Sequence, residues 1–69
     1  MITDAEVENW FSYHSPNQDQ MKKYVEIRGA AKILAYLIIQ NTPASADQSA
    51  AIRLLRECVM TANAAIACG

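Results

Sequence analysis

Apolar residues recur every three and four positions along two stretches of this chain, and that spacing limits what it can build. In the first stretch the repeat is Tyr24, Ile27, Ala31, Leu34 and Ile38; in the second it is Ile52, Leu55, Val59, Ala62 and Ile66. Only an α-helix brings such positions onto one side. Caps and prolines set the ends. Thr3 followed by Glu6 has capping-box spacing and predicts a short helix over about residues 3–11. Ser15-Pro16 with Gln18 predicts an N-cap at Ser15, proline at the first helical position and a long helix over 16–40. Asn41-Thr42-Pro43 ends it, because a residue before proline is pushed out of the helical region. Ser45 with Gln48 repeats the capping-box spacing and opens a helix over 45–67, with Thr42-Pro43 as a competing start and Gly69 as a terminator. The expected fold is therefore all-α and a single domain over 1–69. A short N-terminal helix precedes an antiparallel hairpin of two long helices, each about 33–36 Å long.

That hairpin is apolar on more than one side. Val25, Ala35 and Ile39 flank the first stripe, and Ala51, Leu54, Cys58 and Ala65 flank the second. A pair of helices has one internal seam, so the extra apolar surface would face water in a monomer. With only 69 residues, 52% of them hydrophobic, a lone core of this kind seldom supplies more than ~3–5 kcal/mol. The sequence thus predicts a homo-oligomer. Small residues at Gly29-Ala30-Ala31 and at Ala62, Ala64 and Ala65 permit close helix approach, although alanine's helix propensity explains the alanines equally well.

Several classes drop out. Two cysteines and the single histidine, His14, make a poor zinc set, and there is no glycine-rich phosphate loop, so no metal or cofactor is expected. Cys58 and Cys68 read as buried free thiols rather than a bridge. No leader-like segment and no apolar run near the ~20 residues that span a bilayer are present, which points to the cytosol and away from a membrane. A net charge of -1 disfavours a general DNA or RNA binder.

Charge is nevertheless unevenly placed. Residues 1–20 carry Asp4, Glu6, Glu8 and Asp19 and no base, whereas residues 21–40 carry Lys22, Lys23, Arg28 and Lys32 against Glu26 alone. Met21, Val25, Arg28, Lys32, Ala35 and Ile39 share one helical face, so two cations interrupt an apolar stripe. Either these side chains reach to a rim, or a carboxylate or bound anion sits opposite. Trp10, Phe11 and Tyr13 crowd the segment entering the same helix, and Tyr24 lies one turn before Arg28. Rings beside guanidinium and ammonium groups suit nucleobases joined to phosphates, which makes a small nucleotide a reasonable ligand. Trp10 and Phe11 are expected to dock the first helix, leaving Tyr13 in the loop as the better ligand candidate. His14 lacks a carboxylate to orient it, so binding without turnover is expected. Asn63, inside an alanine-rich helix, is expected to hydrogen-bond across a helix contact.

The same residues carry a family resemblance. Phe11-Ser12-Tyr13-His14-Ser15-Pro16, Asp19-Gln20, Lys23-Tyr24, Ile27-Arg28, Thr42-Pro43 and Met60 through Cys68 resemble the phage anti-CBASS protein 2 family over nearly the whole chain. The resemblance implies a helical homohexamer in the cytoplasm of the infected bacterial host. It would sequester cyclic dinucleotides of the cyclic GMP-AMP type between protomers without cleaving them, so that the CBASS effector stays inactive; cyclic trinucleotides would bind at a separate site. By resemblance Tyr13 would stack on a base and Arg28 would contact base or phosphate. Lys32 joins them from its place on the stripe and His14 from its place in the loop. Gly29, Ala30 and Ala67 through Gly69 match the trinucleotide region, and Thr61 stands where relatives carry tryptophan. The alternative is a non-enzymatic helical module that oligomerises or binds a partner helix and takes no nucleotide.

Overall fold

A computed structural model describes all residues, Met1–Gly69, as three helices with no strand: α1 (Asp4–Trp10), α2 (Gln18–Asn41) and α3 (Ala46–Cys68). Thr3 caps α1 by accepting the Glu6 backbone N–H at 3.1 Å. Ser45 caps α3 through the Gln48 N–H at 3.2 Å, and the Gly69 N–H closes its other end on the Ala65 carbonyl at 2.8 Å.

The start of α2 corrects the expected cap. Asn17, not Ser15, is the N-cap, so Pro16 lies outside the helix and the first helical residue is Gln18 rather than Pro16. Asn17 Oδ1 accepts the Gln20 N–H at 2.8 Å while Gln20 Oε1 accepts the Asn17 N–H at 3.1 Å, a complete capping box. Ser15–Gln18 and Asn17–Gln20 have the same spacing, and tertiary contact chooses between them. From its place in α2, Gln20 also donates its side-chain amide to the Ile66 carbonyl near the end of α3, at 3.2 Å.

The long helices pack along the anticipated stripes with one exchange. Tyr24, Ile27, Ala31 and Ile38 of α2 are half-buried, as are Ile52, Leu55, Val59, Ala62 and Ile66 of α3. Leu34 stays largely exposed, and the half-buried position beside it is Ala35; on α3, Ala51 also joins the seam. At the closed end Gln48 Nε2 lies within 3.3 Å of the Ile39 and Thr42 carbonyls and of Thr42 Oγ1. Gln20 and Ile66 meet at the opposite, open end.

Helix α1 lies against α3 through polar contacts and through Trp10. Asn9 Nδ2 donates to the Cys68 carbonyl at 3.0 Å, and the Cys68 thiol points back at the Asn9 carbonyl at 3.7 Å. Phe11 is 84% exposed and does not dock α1 as expected, whereas Trp10 is half covered and borders a groove with Thr61 and Cys68 of α3. Both cysteines are free, but Cys58 is exposed and Cys68 only half-buried, which corrects their assignment to a core. Gly29 has nothing within 4 Å of where a Cβ would stand, so no approach within the chain requires a glycine there.

No residue in the chain is buried. Its radius of gyration is 15.2 Å, against about 11 Å for a globule of this length, and its extents are 44 × 31 × 14 Å. It exposes 5783 Å², roughly 1,500 Å² more than a folded monomer of its mass should. That excess is about twice the ~800 Å² that each partner contributes to a standard protein interface.

Candidate functional site

Arg28 sits nearly three turns into α2, where it borders two grooves. The larger, about 360 Å³, has an apolar floor that includes Ala35, Ile52 and Val59, and its cations are Arg28 and Lys32 from α2 and Arg56 from α3. Not one of the three has a carboxylate within 4.0 Å; the chain's single ion pair is Lys23 with Asp19, at 3.1 Å on the outer side of α2. The anticipated partner opposite Arg28 and Lys32 is thus no carboxylate of this chain. A third cation stands there instead. Three unpaired positive charges over an apolar floor repel one another and favour an anion among them.

The second groove, about 310 Å³, opens on the other side of Arg28. Met21, Tyr24, Val25, Val59 and Asn63 line it together with Arg28. Asn63 does not make the expected hydrogen bond across the helix contact, because its Oδ1 is buried with no donor near it. Arg28 and Val59 belong to both grooves, so together they form a ridge between a cationic basin and a ring-lined one.

The loop residues stand apart. Tyr13 lies in the segment between α1 and α2, is 87% exposed and lines none of the three grooves of the chain. His14 donates Nε2–H to the Asn9 carbonyl at 2.5 Å, which ties the loop to the docked end of α1. Within one chain, therefore, Arg28 and Lys32 come together while Tyr13 and His14 do not join them.

The residues matched to a trinucleotide region are also divided. Gly69 borders a third groove of about 350 Å³ with Trp10, Thr61 and Cys68, and Ala67 is half-buried close by. Gly29 and Ala30 are exposed on α2 and take no part in it.

Sequence reading missed Arg56 and Asn9. Arg56 lies four residues after Ile52 and three before Val59, so laying the two stripes face to face would have shown it on the flank nearest Arg28. No comparable signal marks Asn9, whose partner is 59 residues away.

A small helical hairpin that lacks a buried core and carries an unpaired cationic groove belongs to the class of ligand-binding modules. The model of one family, the Acb2/Tad1 hairpin domain, matches residues 3–67. The chain belongs to that family, whose members are anti-CBASS sponges that hold a ligand rather than convert it. No curated protein and no solved structure matches the chain significantly.

Proposed function

We propose that this protein is a phage sponge for cyclic dinucleotides of the cyclic GMP-AMP type, acting in the cytoplasm of the infected host. It holds the messenger without cleaving it and so keeps the CBASS effector inactive. The observation that carries this reading is the basin where Arg28, Lys32 and Arg56 meet without a carboxylate above an apolar floor. Cyclic dinucleotides present two phosphates and two flat rings, which is the chemistry such a basin lacks.

The working form is a homohexamer of antiparallel hairpins. Support for self-association comes from the roughly 1,500 Å² of surplus surface and the absence of any buried residue. Assembly also accounts for Tyr13. A ring that lines no groove of its own chain can reach ligand held by the Arg28 and Lys32 of a neighbour, where it stacks on a base. His14 anchors the loop that carries Tyr13. Cyclic trinucleotides are a second ligand class, held where Gly29 and Ala30 of one protomer approach Ala67 and Gly69 of another.

No helix of the chain is long and apolar enough to cross a membrane. Calorimetric titration with cyclic GMP-AMP, then heat denaturation and chromatography of the released ligand, tests the reading. Saturable binding with intact ligand recovered is the expected result. Absence of binding would leave a helical oligomerisation or partner-binding module in its place, and linear product would mean turnover.

A further inference from the structure

Two features of the grooves remain unused by Tyr13, Arg28 and Lys32. Arg56 brings a third cation to the basin from the opposite helix, with no carboxylate within 4.0 Å. Its charge adds to those of Arg28 and Lys32 with nothing inside the chain to offset it, so its position suits an anionic ligand better than the free protein. On the far side of the Arg28–Val59 ridge, Asn63 Oδ1 is buried without a hydrogen-bond donor. A buried acceptor in that state carries its full desolvation penalty, and native structures leave few such atoms without a partner. Around it stand a phenol ring at Tyr24, apolar side chains at Met21, Val25 and Val59, and the Arg28 guanidinium. Apolar walls with one unpaired acceptor behind them suit a flat base with N–H groups on its edge, once rotation of the Asn63 amide brings Oδ1 to the groove.

We infer that Arg56 and Asn63 complete the nucleotide site on opposite sides of Arg28. Arg56 contacts phosphate in the basin, and the Asn63 amide turns so that Oδ1, buried in the free chain, accepts a hydrogen bond from the edge of a base seated beside Tyr24. The ligand then lies across the ridge, with its charge on one side and one ring on the other. This rests on the nucleotide-sponge reading above and adds to it a second phosphate-binding helix and a base-reading acceptor.

Calorimetric titration of cyclic GMP-AMP into wild type, Arg56→Gln, Arg53→Gln, Asn63→Ala and Arg28→Ala tests it, with chromatographic size and thermal midpoint measured on each ligand-free protein. Arg53 is exposed and lines no groove, so its variant has the same net charge as Arg56→Gln without touching the site. Arg56→Gln should bind about tenfold more weakly and lose less affinity than wild type on raising salt, while Arg53→Gln stays near wild type. Asn63→Ala should also bind about tenfold more weakly, with a ligand-free midpoint equal to or above wild type because a buried unpaired acceptor has been removed. That opposition separates a ligand role from a structural one.

Wild-type affinity in both Arg56→Gln and Asn63→Ala, with binding lost in Arg28→Ala, would overturn this inference and leave the sponge intact. Equal losses in Arg53→Gln and Arg56→Gln would overturn the phosphate contact. A smaller assembly or a lowered midpoint in Asn63→Ala would overturn the base contact by assigning Oδ1 to the packing between helices or protomers. No binding by wild type would remove the sponge reading itself, and this inference with it.

Discussion

The two ends of the hairpin are built to different rules. At the closed end four polar side chains are tied to the chain itself: Asn41 Nδ2 donates to the Leu37 carbonyl, Thr42 Oγ1 to that of Ile38, Ser45 Oγ to that of Pro43, and Gln48 Nε2 bridges back to Ile39 and Thr42. The open end holds α1 through Asn9 and α3 through Gln20, yet it leaves Tyr13 in water and, one to two turns inward, Asn63 without a donor. The basin holding Arg28, Lys32 and Arg56 lies between the two ends. Polar satisfaction at one end favours stability, and on the proposed function its absence toward the other leaves groups free for a ligand.

The contrast breaks most sharply at Arg28. Replacing it with alanine should weaken cyclic GMP-AMP binding by about a hundredfold or more, since a charge-assisted contact on the ridge is lost, while chromatographic size stays unchanged. Unaltered affinity would detach the ligand from the basin. At the closed end, Gln48→Ala should cost about 1–2 kcal/mol and lower the thermal midpoint by roughly 5–10 °C at fixed protein concentration, with ligand affinity retained. A loss of binding there would erase the division between the ends.

Tyr13→Ala should do the converse, lowering affinity about tenfold through lost stacking and leaving the midpoint alone, because an 87%-exposed ring contributes little to packing. A fallen midpoint, or no change in affinity, would return the loop to a structural role. The smallest effect tests the cap. Asn17→Ala should cost about 1 kcal/mol in thermal unfolding, whereas Ser15→Ala should be near neutral. The reverse order would restore Ser15 as the start of α2.

The helices and their partner faces were legible because periodicity is a local property. Ile52, Leu55, Val59, Ala62 and Ile66 repeat at helical spacing whatever they pack against, and all five are half-buried in the fold. Arg28 and Lys32 were legible for the same reason: shared position on one face brings them together without any knowledge of a partner. The cap of α2 was not. Two boxes of equal spacing, Ser15–Gln18 and Asn17–Gln20, were available, and the bond from Gln20 to the Ile66 carbonyl favours the second. Leu34 and Ala35 are likewise adjacent apolar choices, and which of them turns inward depends on how α3 crosses.

By itself, then, the sequence determined three helical segments, an excess of apolar faces over seams and a pair of cations on one of them. It also identified the family, since the Phe-x-Tyr-His-x-Pro loop and the Ala-Asn-Ala-x-Ile-Ala helix are contiguous signatures and the family match covers residues 3–67. Only the tertiary structure decided that Arg56 joins Arg28 and Lys32 in one basin, that Asn63 borders the neighbouring groove with its Oδ1 buried and without a donor, and that Asn9 fastens α1 to the end of α3. Those facts depend on where two helices pass one another. A shift of one residue in the pairing turns a side chain by about 100° around its helix axis, so no local pattern encodes which groups will meet.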